Sequence, residues 1–167
     1  KQATMSQWNK LQAKVYTTDT LQSQIAEWRK DNQKIVFTNG CFDLLHLGHV
    51  DYLAKARDLG DKLIIGLNTD TSVSRIKGPS RPIKDQNSRA TILAAIQFVD
   101  AVIFFDEETP IGLITWVKPD VLVKGGDYTL EGIVGHEIVL EKGGEVKTIP
   151  FVEGYSSSKL IEKITQK

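Results

Sequence analysis

Short apolar runs alternate with helix-like segments from residue 34 onward, and this alternation constrains the fold most. Residues 62–67 form a continuous apolar run, as expected for a strand that is covered on both faces. Other predicted strands are residues 34–38, 101–105, 121–124 and 146–150. Helices are predicted at residues 49–59, at about 87–98, at 135–142 and from about Ser157. A further helix is predicted to be capped by Thr109, with Pro110 at its first position, and a loop is predicted at 71–88. The pattern predicts an α/β fold with a doubly wound parallel sheet.

The first 33 residues are more polar and have a different pattern. Leu21, Ile25 and Trp28 recur at helical spacing, which predicts an amphipathic helix. We therefore predict a single Rossmann-like domain over residues 34–167 and an N-terminal helical extension over residues 1–33. The extension is expected to dock on the domain or on a second subunit.

Composition excludes several classes of protein. The 167 residues are 41% hydrophobic, enough for one compact domain. Lys plus Arg and Asp plus Glu both number 21, so no basic surface for nucleic acid is expected. The single cysteine excludes an internal disulfide, and no apolar run approaches the roughly 20 residues of a membrane span. These features predict a cytoplasmic protein that binds neither nucleic acid nor membrane, while leaving room for a local cationic pocket.

The histidine turn, residues 40–49, reads Gly-Cys-Phe-Asp-Leu-Leu-His-Leu-Gly-His and lies between a predicted strand and a predicted helix. Free backbone N–H groups and the helix dipole favour phosphate at such a junction. His46 and His49 are spaced to share a helix face, so that both imidazoles can reach one anion. Gly48 has no side chain to block the approach of that anion.

Three further segments follow predicted strands, at the edge where doubly wound sheets bind ligands. They are the stretch from Lys77 to Arg89, the Lys124–Asp127 loop, and the serine turn, residues 154–159 (Gly-Tyr-Ser-Ser-Ser-Lys). The serine turn places hydroxyls and a lysine at a helix N-terminus, a second candidate anion site.

Other interpretations of these residues remain open. Cys41, Asp43, His46 and His49 contain zinc-ligand types, although their spacing fits no familiar zinc site. Asp43 is expected either to cap the turn or to orient a histidine. The serines would cap a helix with or without a ligand, and Lys77 and Arg89 taken alone are surface charges.

Together these segments resemble the nucleotidyltransferase superfamily that carries the His-x-Gly-His motif, over about residues 33–165. The histidine motif within residues 38–49 is specific to the superfamily. Residues 77–83 and 123–128 resemble the branch that adenylylates D-glycero-β-D-manno-heptose 1-phosphate. The resemblance implies an enzyme that joins this sugar phosphate to ATP, giving ADP-heptose and pyrophosphate, for lipopolysaccharide core or related glycan synthesis.

The resemblance also implies roles for individual residues. Implied catalytic residues are His46, His49, Lys77 and Lys159. Implied nucleotide-binding residues are Cys41 and Phe42 through their backbone N–H groups, and Gly48, Arg89, Gly126, Asp127, Ser156, Ser157 and Ser158. Arg89 alternatively pairs with Asp100. Mg²⁺ is expected, held through phosphates and water rather than by side chains.

The same resemblance leads us to expect a homodimer. Many heptose enzymes carry a fused sugar kinase domain, which this chain lacks. We therefore expect either a stand-alone transferase, with a separate sugar kinase in its pathway, or an excised domain.

Two other functions are kept as alternatives. Glycerol-3-phosphate cytidylyltransferase, which uses CTP, is similar in layout. It carries an arginine where this chain has Phe151, and an acidic pair where this chain has Gly126 and Asp127. A nucleotide-binding regulator without turnover is the second alternative. Class I tRNA synthetases share the histidine motif, but a chain of this length and charge has no room for tRNA recognition.

Overall fold

The chain folds around a parallel six-stranded sheet. The computed structural model describes residues 4–126 and 128–166. The sheet order is β1-β4-β3-β2-β5-β6, and all five neighbouring pairs are parallel. The strands are β1 (Val15–Tyr16), β2 (Ile35–Gly40), β3 (Lys62–Asn68), β4 (Ala101–Phe105), β5 (Val121–Gly125) and β6 (Glu145–Ile149). This confirms the predicted α/β, Rossmann-like sheet.

Helices pack on both faces of the sheet because its strands are buried on both sides. They are α1 (Gln7–Gln12), α2 (Thr18–Lys30), α3 (Leu47–Arg57), α4 (Asp70–Lys77), α5 (Gln86–Ala94), α6 (Ile111–Val117), α7 (His136–Glu141) and α8 (Ser157–Thr165), with a 3₁₀ turn at Leu130–Gly132. Alternate side chains of β2 enter different cores. Phe37 packs in the cluster that contains residues of α2, α6 and α7, whereas Val36 packs in the cluster that contains residues of α3 and α5.

The N-terminal segment contributes a strand to the same sheet. The two residues of β1 pair with Val102 and Ile103 of β4. Leu21, Ile25 and Trp28 on α2 are buried in the core, as their spacing predicted. A two-residue strand leaves no periodic signal in the sequence. The boundary between an extension and a domain at residues 33 and 34 stays a prediction, and residues 1–3 lie outside the described part.

Two local predictions are wrong. The predicted loop at 71–88 contains α4, which begins at a cap where the Thr69 side chain accepts a hydrogen bond from Ser72 N. Its sequence is mostly polar, so the buried Val73 gave too weak a periodic signal. Thr109 does not cap α6: the N-cap residue is Pro110, which makes no side-chain cap hydrogen bond.

The histidine turn lies where the strand order changes direction. β2 has β3 on one side and β5 on the other, so the sheet grows outward from β2 in both directions. Doubly wound sheets bind ligands at the carboxyl ends of strands at such a point.

Within the described residues, no helix is long and apolar enough to cross a membrane.

Candidate active site

His46 and His49 cap the N-terminus of α3 with their own side chains. Nδ1 of His46 accepts a hydrogen bond from Gly48 N at 3.1 Å, and Nδ1 of His49 accepts one from His46 N at 3.3 Å. His46 is the N-cap residue with an extended backbone, and α3 begins at Leu47. The expectation that both histidines share a helix face is therefore wrong. A reciprocal cap, rather than helical spacing, brings the two rings together.

These hydrogen bonds determine which nitrogen of each ring can donate. A neutral imidazole whose Nδ1 accepts a hydrogen bond carries its proton on Nε2. Burial, with the charges of His46, Lys77 and Lys84, lowers the pKa of His49 to about 4. Burial also lowers the pKa of His46. Both rings are therefore neutral near pH 7, and each retains an Nε2–H group to offer to an anion.

Gly48 makes room for the neighbouring His46 ring. A Cβ at this position would lie 2.9 Å from Cε1 of His46 and 3.4 Å from Cβ of Tyr155. Any side chain here would displace the His46 imidazole. The reason given for Gly48 from sequence was therefore incomplete.

The chain turns sharply at Phe42, directly after β2. Its φ of 47° is unusual for a residue with a side chain, and such conformations cluster at functional sites. The Phe42 ring is buried, with its centroid 5.4 Å from that of His49. Cys41 is half-buried before this turn. Burial raises the pKa of its thiol, and the charges of Lys77, Arg89 and Arg81 oppose that rise.

Asp43 anchors a distant loop, so both of its predicted roles are wrong. Its carboxylate accepts hydrogen bonds from Arg81 Nε at 2.8 Å, Ile83 N at 2.8 Å and Lys84 N at 2.9 Å. Burial alone would raise the pKa of Asp43, but these hydrogen bonds hold it below its ordinary value. The carboxylate thereby fixes the 77–84 loop, formed by the last residue of α4 and the loop that follows it, against the histidine turn.

The 77–84 loop supplies positive charge beside His49. Lys77 ends α4, and its charge and that of Lys84 both help to lower the pKa of His49. Lys77 is therefore close enough to His49 to influence its protonation, and its catalytic role stays a prediction. Lys84 and Arg81 were not singled out from sequence, although Arg81 belongs to one of the matching stretches.

Arg89 lies behind the histidine turn rather than at its surface. Its side chain is 0% exposed and donates to Lys84 O, Cys41 O, Asn68 O and the Asp70 carboxylate at 2.7–3.0 Å. The predicted alternative of a pair with Asp100 is wrong, because Asp100 instead accepts from Arg57 Nε and Leu63 N. Arg89 supports the backbone on which the site is built, and its assignment as a nucleotide contact stays a prediction.

The serine turn packs against His46 and the backbone of the histidine turn. Ser157 Oγ donates to Leu44 O at 2.9 Å, and the Tyr155 ring is stacked with that of His46 at 6.4 Å between centroids. Ser156 caps α8 by accepting from Lys159 N at 3.1 Å. Ser158 and the Lys159 side chain are exposed beside it. Tyr155 was not predicted as part of this site.

The glycine loop after β5 is covered by an aromatic ring. A Cβ on Gly125 or Gly126 would approach ring atoms of Phe151 to within 2.7 and 2.8 Å, and Gly126 has a φ of +96°. The Phe151 residue is nevertheless 71% exposed. Gly126 is therefore in contact with the residue that replaces an arginine in the cytidylyltransferase pattern. Asp127, predicted to bind the nucleotide, lies outside the described residues.

The site offers donors and cations rather than a metal cage. In the described part of the chain, no three or more His, Cys, Asp or Glu side chains are grouped to hold a metal ion. The Asp43 carboxylate and both histidine Nδ1 atoms are already occupied by protein hydrogen bonds. The arrangement is suited to a phosphate anion.

Sequence comparison identifies related proteins over nearly the whole chain. The cytidylyltransferase-like family profile matches residues 37–163. The chain is 55% identical over 152 residues to the bifunctional protein HldE of Koribacter versatilis, and 54% identical over 152 residues to that of Geobacter sulfurreducens. Each alignment covers 91% of this chain but 31% of the relative. The chain thus spans about a third of the length of these relatives.

Solved structures support the fold. The crystal structure of the lipopolysaccharide core biosynthesis protein from Thermoplasma volcanium is 31% identical, with a TM-score of 0.58, and the match covers 74% of this chain and 99% of that one. Pantoate-beta-alanine ligase from Francisella tularensis is 15% identical, with a TM-score of 0.53 over 92% of this chain and 78% of that one, and shows the fold alone.

Proposed function

This chain belongs to the cytidylyltransferase-like family, and we propose that, as a nucleotidyltransferase, it joins a sugar 1-phosphate to a nucleoside triphosphate. One observation carries the proposal. Two neutral imidazoles cap α3 at the switch point of the sheet, and each has its Nε2–H group available as a donor. Lysines lie near His49, and the serine turn lies against His46.

The reaction matches what these residues offer. A phosphate oxygen of the sugar 1-phosphate attacks the α-phosphorus, and the bond from that phosphorus to the oxygen of the departing pyrophosphate breaks. The nucleophile is already ionised near neutral pH, so no general base is needed. Catalysis then consists of positioning and of stabilising charge at the α-phosphate. Neutral Nε2–H donors from His46 and His49 suit that task.

We assign the remaining roles from the position of each group. The N–H groups of Cys41 and Phe42 would hold nucleotide phosphates at the end of β2. The serine turn, with Ser156, Ser157, Ser158 and Lys159, would hold the β- and γ-phosphates and the leaving pyrophosphate. Lys77 would bridge the acceptor phosphate and the nucleotide. Gly126 and Asp127 would face the ribose or base.

We further propose that the sugar is D-glycero-β-D-manno-heptose 1-phosphate and that the nucleotide is ATP. The resemblance of residues 77–83 and 123–128 to the heptose branch supports the sugar. Phe151, in contact with both glycines of the 124–127 loop, supports a base other than cytosine, because the arginine of the cytidylyltransferase pattern is missing. ADP-heptose would be the product.

The other partners belong to the proposal as well. Mg²⁺ would arrive with the triphosphate, held through phosphate oxygens and water. A homodimer, a cytoplasmic location and a sugar kinase acting in the same pathway stay predictions.

Pyrophosphate release tests this function. The purified chain with Mg²⁺ is given ATP, CTP or GTP, each with heptose 1-phosphate or glycerol 3-phosphate. We expect the highest kcat/KM for ATP with heptose 1-phosphate. A preference for CTP with glycerol 3-phosphate would reverse the substrate assignment and leave nucleotidyl transfer intact. Nucleotide binding without turnover of any pair would instead indicate a regulator.

A further inference from the structure

Arg81 holds a buried guanidinium that the fold only partly satisfies. Its side chain is 13% exposed, and Nε donates to the Asp43 carboxylate at 2.8 Å. Its Nη2 atom is buried, yet it makes no hydrogen bond within the described part of the chain. A buried donor without an acceptor is costly, and the cost is greater for a charged group. Such an atom in a native fold calls for an explanation.

The surroundings of Arg81 carry an excess of positive charge. Lys77, Arg81 and Arg89 all lie close enough to Cys41 to oppose the rise in the pKa of its thiol. Asp43 neutralises Arg81 and Asp70 neutralises Arg89. Lys84 adds a further cation near His49. An anionic ligand at this side of the histidine turn would be balanced by Lys77 and Lys84.

The geometry of transfer indicates which anion this is. The serine turn packs on His46 and Leu44, whereas the 77–84 loop is fixed to Asp43 and places its lysines near His49. The two segments therefore approach different rings of the histidine pair. In phosphoryl transfer the attacking and leaving oxygens lie roughly in line, on opposite sides of the phosphorus. If the serine turn holds the leaving pyrophosphate, the 77–84 loop faces the attacking phosphate.

We propose that Arg81 binds the phosphate monoester of the acceptor substrate through Nη2, while Asp43 fixes its guanidinium from the other edge. This inference rests on the proposed function, because the in-line argument requires a phosphate nucleophile. The planar fork of arginine suits the task, since Nε can stay on the carboxylate while Nη2 reaches the ligand. A lysine has a single ammonium group and cannot make the same divided contact.

Steady-state kinetics with Arg81→Ala and Arg81→Lys tests the proposal. Both variants should raise KM for heptose 1-phosphate about 10- to 100-fold, the ratio expected for losing a hydrogen bond to a charged group. The Kd for ATP, measured by calorimetry, should change less than about threefold, below a typical net hydrogen bond. Arg75→Ala is the matched control, because Arg75 is half-exposed on α4 and pairs with Asp106. It should leave both quantities unchanged.

Folding and function are separated by two additional measurements. Arg81→Lys retains a cation that can pair with Asp43, so a melting temperature near that of the wild type shows that its defect is not misfolding. Inorganic phosphate serves as the probe if no sugar phosphate is turned over. Weaker binding of inorganic phosphate to Arg81→Lys than to the wild type would then support the anion site even though the proposed function had failed.

Two outcomes would overturn the role of Arg81. In the first, the wild type turns over the substrates and both Arg81 variants have the same KM for the acceptor as the wild type. That result would leave the proposed function standing. The other is an equal loss of ATP and acceptor binding in a variant that melts like the wild type. If the wild type turns over no substrate, equal binding of inorganic phosphate by the wild type and Arg81→Lys would also overturn the role of Arg81.

Discussion

The imidazole rings of His46 and His49 stack with their centroids 3.9 Å apart and their planes inclined by 29°. Each ring also caps backbone at the start of α3, so the two side chains are held by the helix that they help to begin. Tyr52 fixes that helix to the sheet, since its hydroxyl bonds Thr38 Oγ1 at 2.6 Å and Val123 O at 3.2 Å. The candidate catalytic pair is therefore preorganised by the contacts that this helix makes with β2 and β5.

His49→Ala should lower kcat about 10²-fold or more, the usual size of losing one transition-state donor. The Kd for ATP should change less, because the donor acts mainly on charge that develops during transfer. His49→Gln is the sharper variant, since Gln at this position retains the reciprocal cap but lacks the imidazole. His136→Ala, whose ring bonds Ile133 O instead, is the control. Near-full kcat in both His49 variants would show that the assignment is wrong.

The His49 ring should stay neutral well below pH 6. Its pKa of about 4 in the folded state lies below the ordinary 6.5, so the folded state loses stability relative to the unfolded state as the pH falls from 6.5 towards 4. NMR titration of the ring should show no transition between about pH 8 and 5.5, whereas the same protein unfolded in urea should titrate near pH 6.5. A folded-state transition near 6.5 would contradict the neutral-donor mechanism.

Lys159→Ala should weaken ATP binding more than AMP binding, because AMP lacks the β- and γ-phosphates that the serine turn is proposed to hold. Calorimetry with both nucleotides measures the two effects. The expected loss for ATP is about tenfold, the size of one charge-assisted contact. Lys163→Ala, in the last turn of the same helix, is the matched control. Equal losses for the two nucleotides would place Lys159 away from the triphosphate tail.

The purified protein should contain no stoichiometric zinc. The Cys41, Asp43, His46 and His49 set lies on a turn where Asp43 already binds Arg81 and both Nδ1 atoms bind backbone. Elemental analysis measures the metal content. Activity is then assayed after a chelator has removed bound metal and Mg²⁺ has been added back. One tightly held Zn²⁺ per chain, with activity recovered by zinc alone, would overturn the phosphate interpretation.

Arg89→Ala should destabilise the fold by about 3 kcal/mol or more, since it leaves backbone carbonyls without their donor, at roughly 1–3 kcal/mol for each buried one. The carbonyls of Lys84, Cys41 and Asn68 would lose their donor together. Urea unfolding measures the change in the free energy of unfolding. Arg75→Ala is the comparison, because its exposed ion pair contributes about 1 kcal/mol or less. A similar small effect at both positions would show that Arg89 is not a structural anchor.

The sequence alone determined the fold class, the family and the segments that form the candidate site. Apolar periodicity and the punctuating Gly and Pro residues are local signals, and they correctly located five of the strands in the sheet, near residues 34–38, 62–67, 101–105, 121–124 and 146–150. The histidine motif is equally local, since the strand before it and the helix after it are contiguous in the chain. The site roles themselves stay predictions.

Only the tertiary structure decided how these segments support one another. Asp43 and Arg81 are 38 positions apart, and Arg89 and Cys41 are 48 apart, so neither pairing follows from spacing. Lone charges are surface residues by default, and burial of Arg89 depends on carbonyls contributed by three separate segments. The β1 strand forms because β4 presents an edge to it. The reciprocal cap of His46 and His49 depends on the backbone conformation at His46, which side-chain periodicity does not encode.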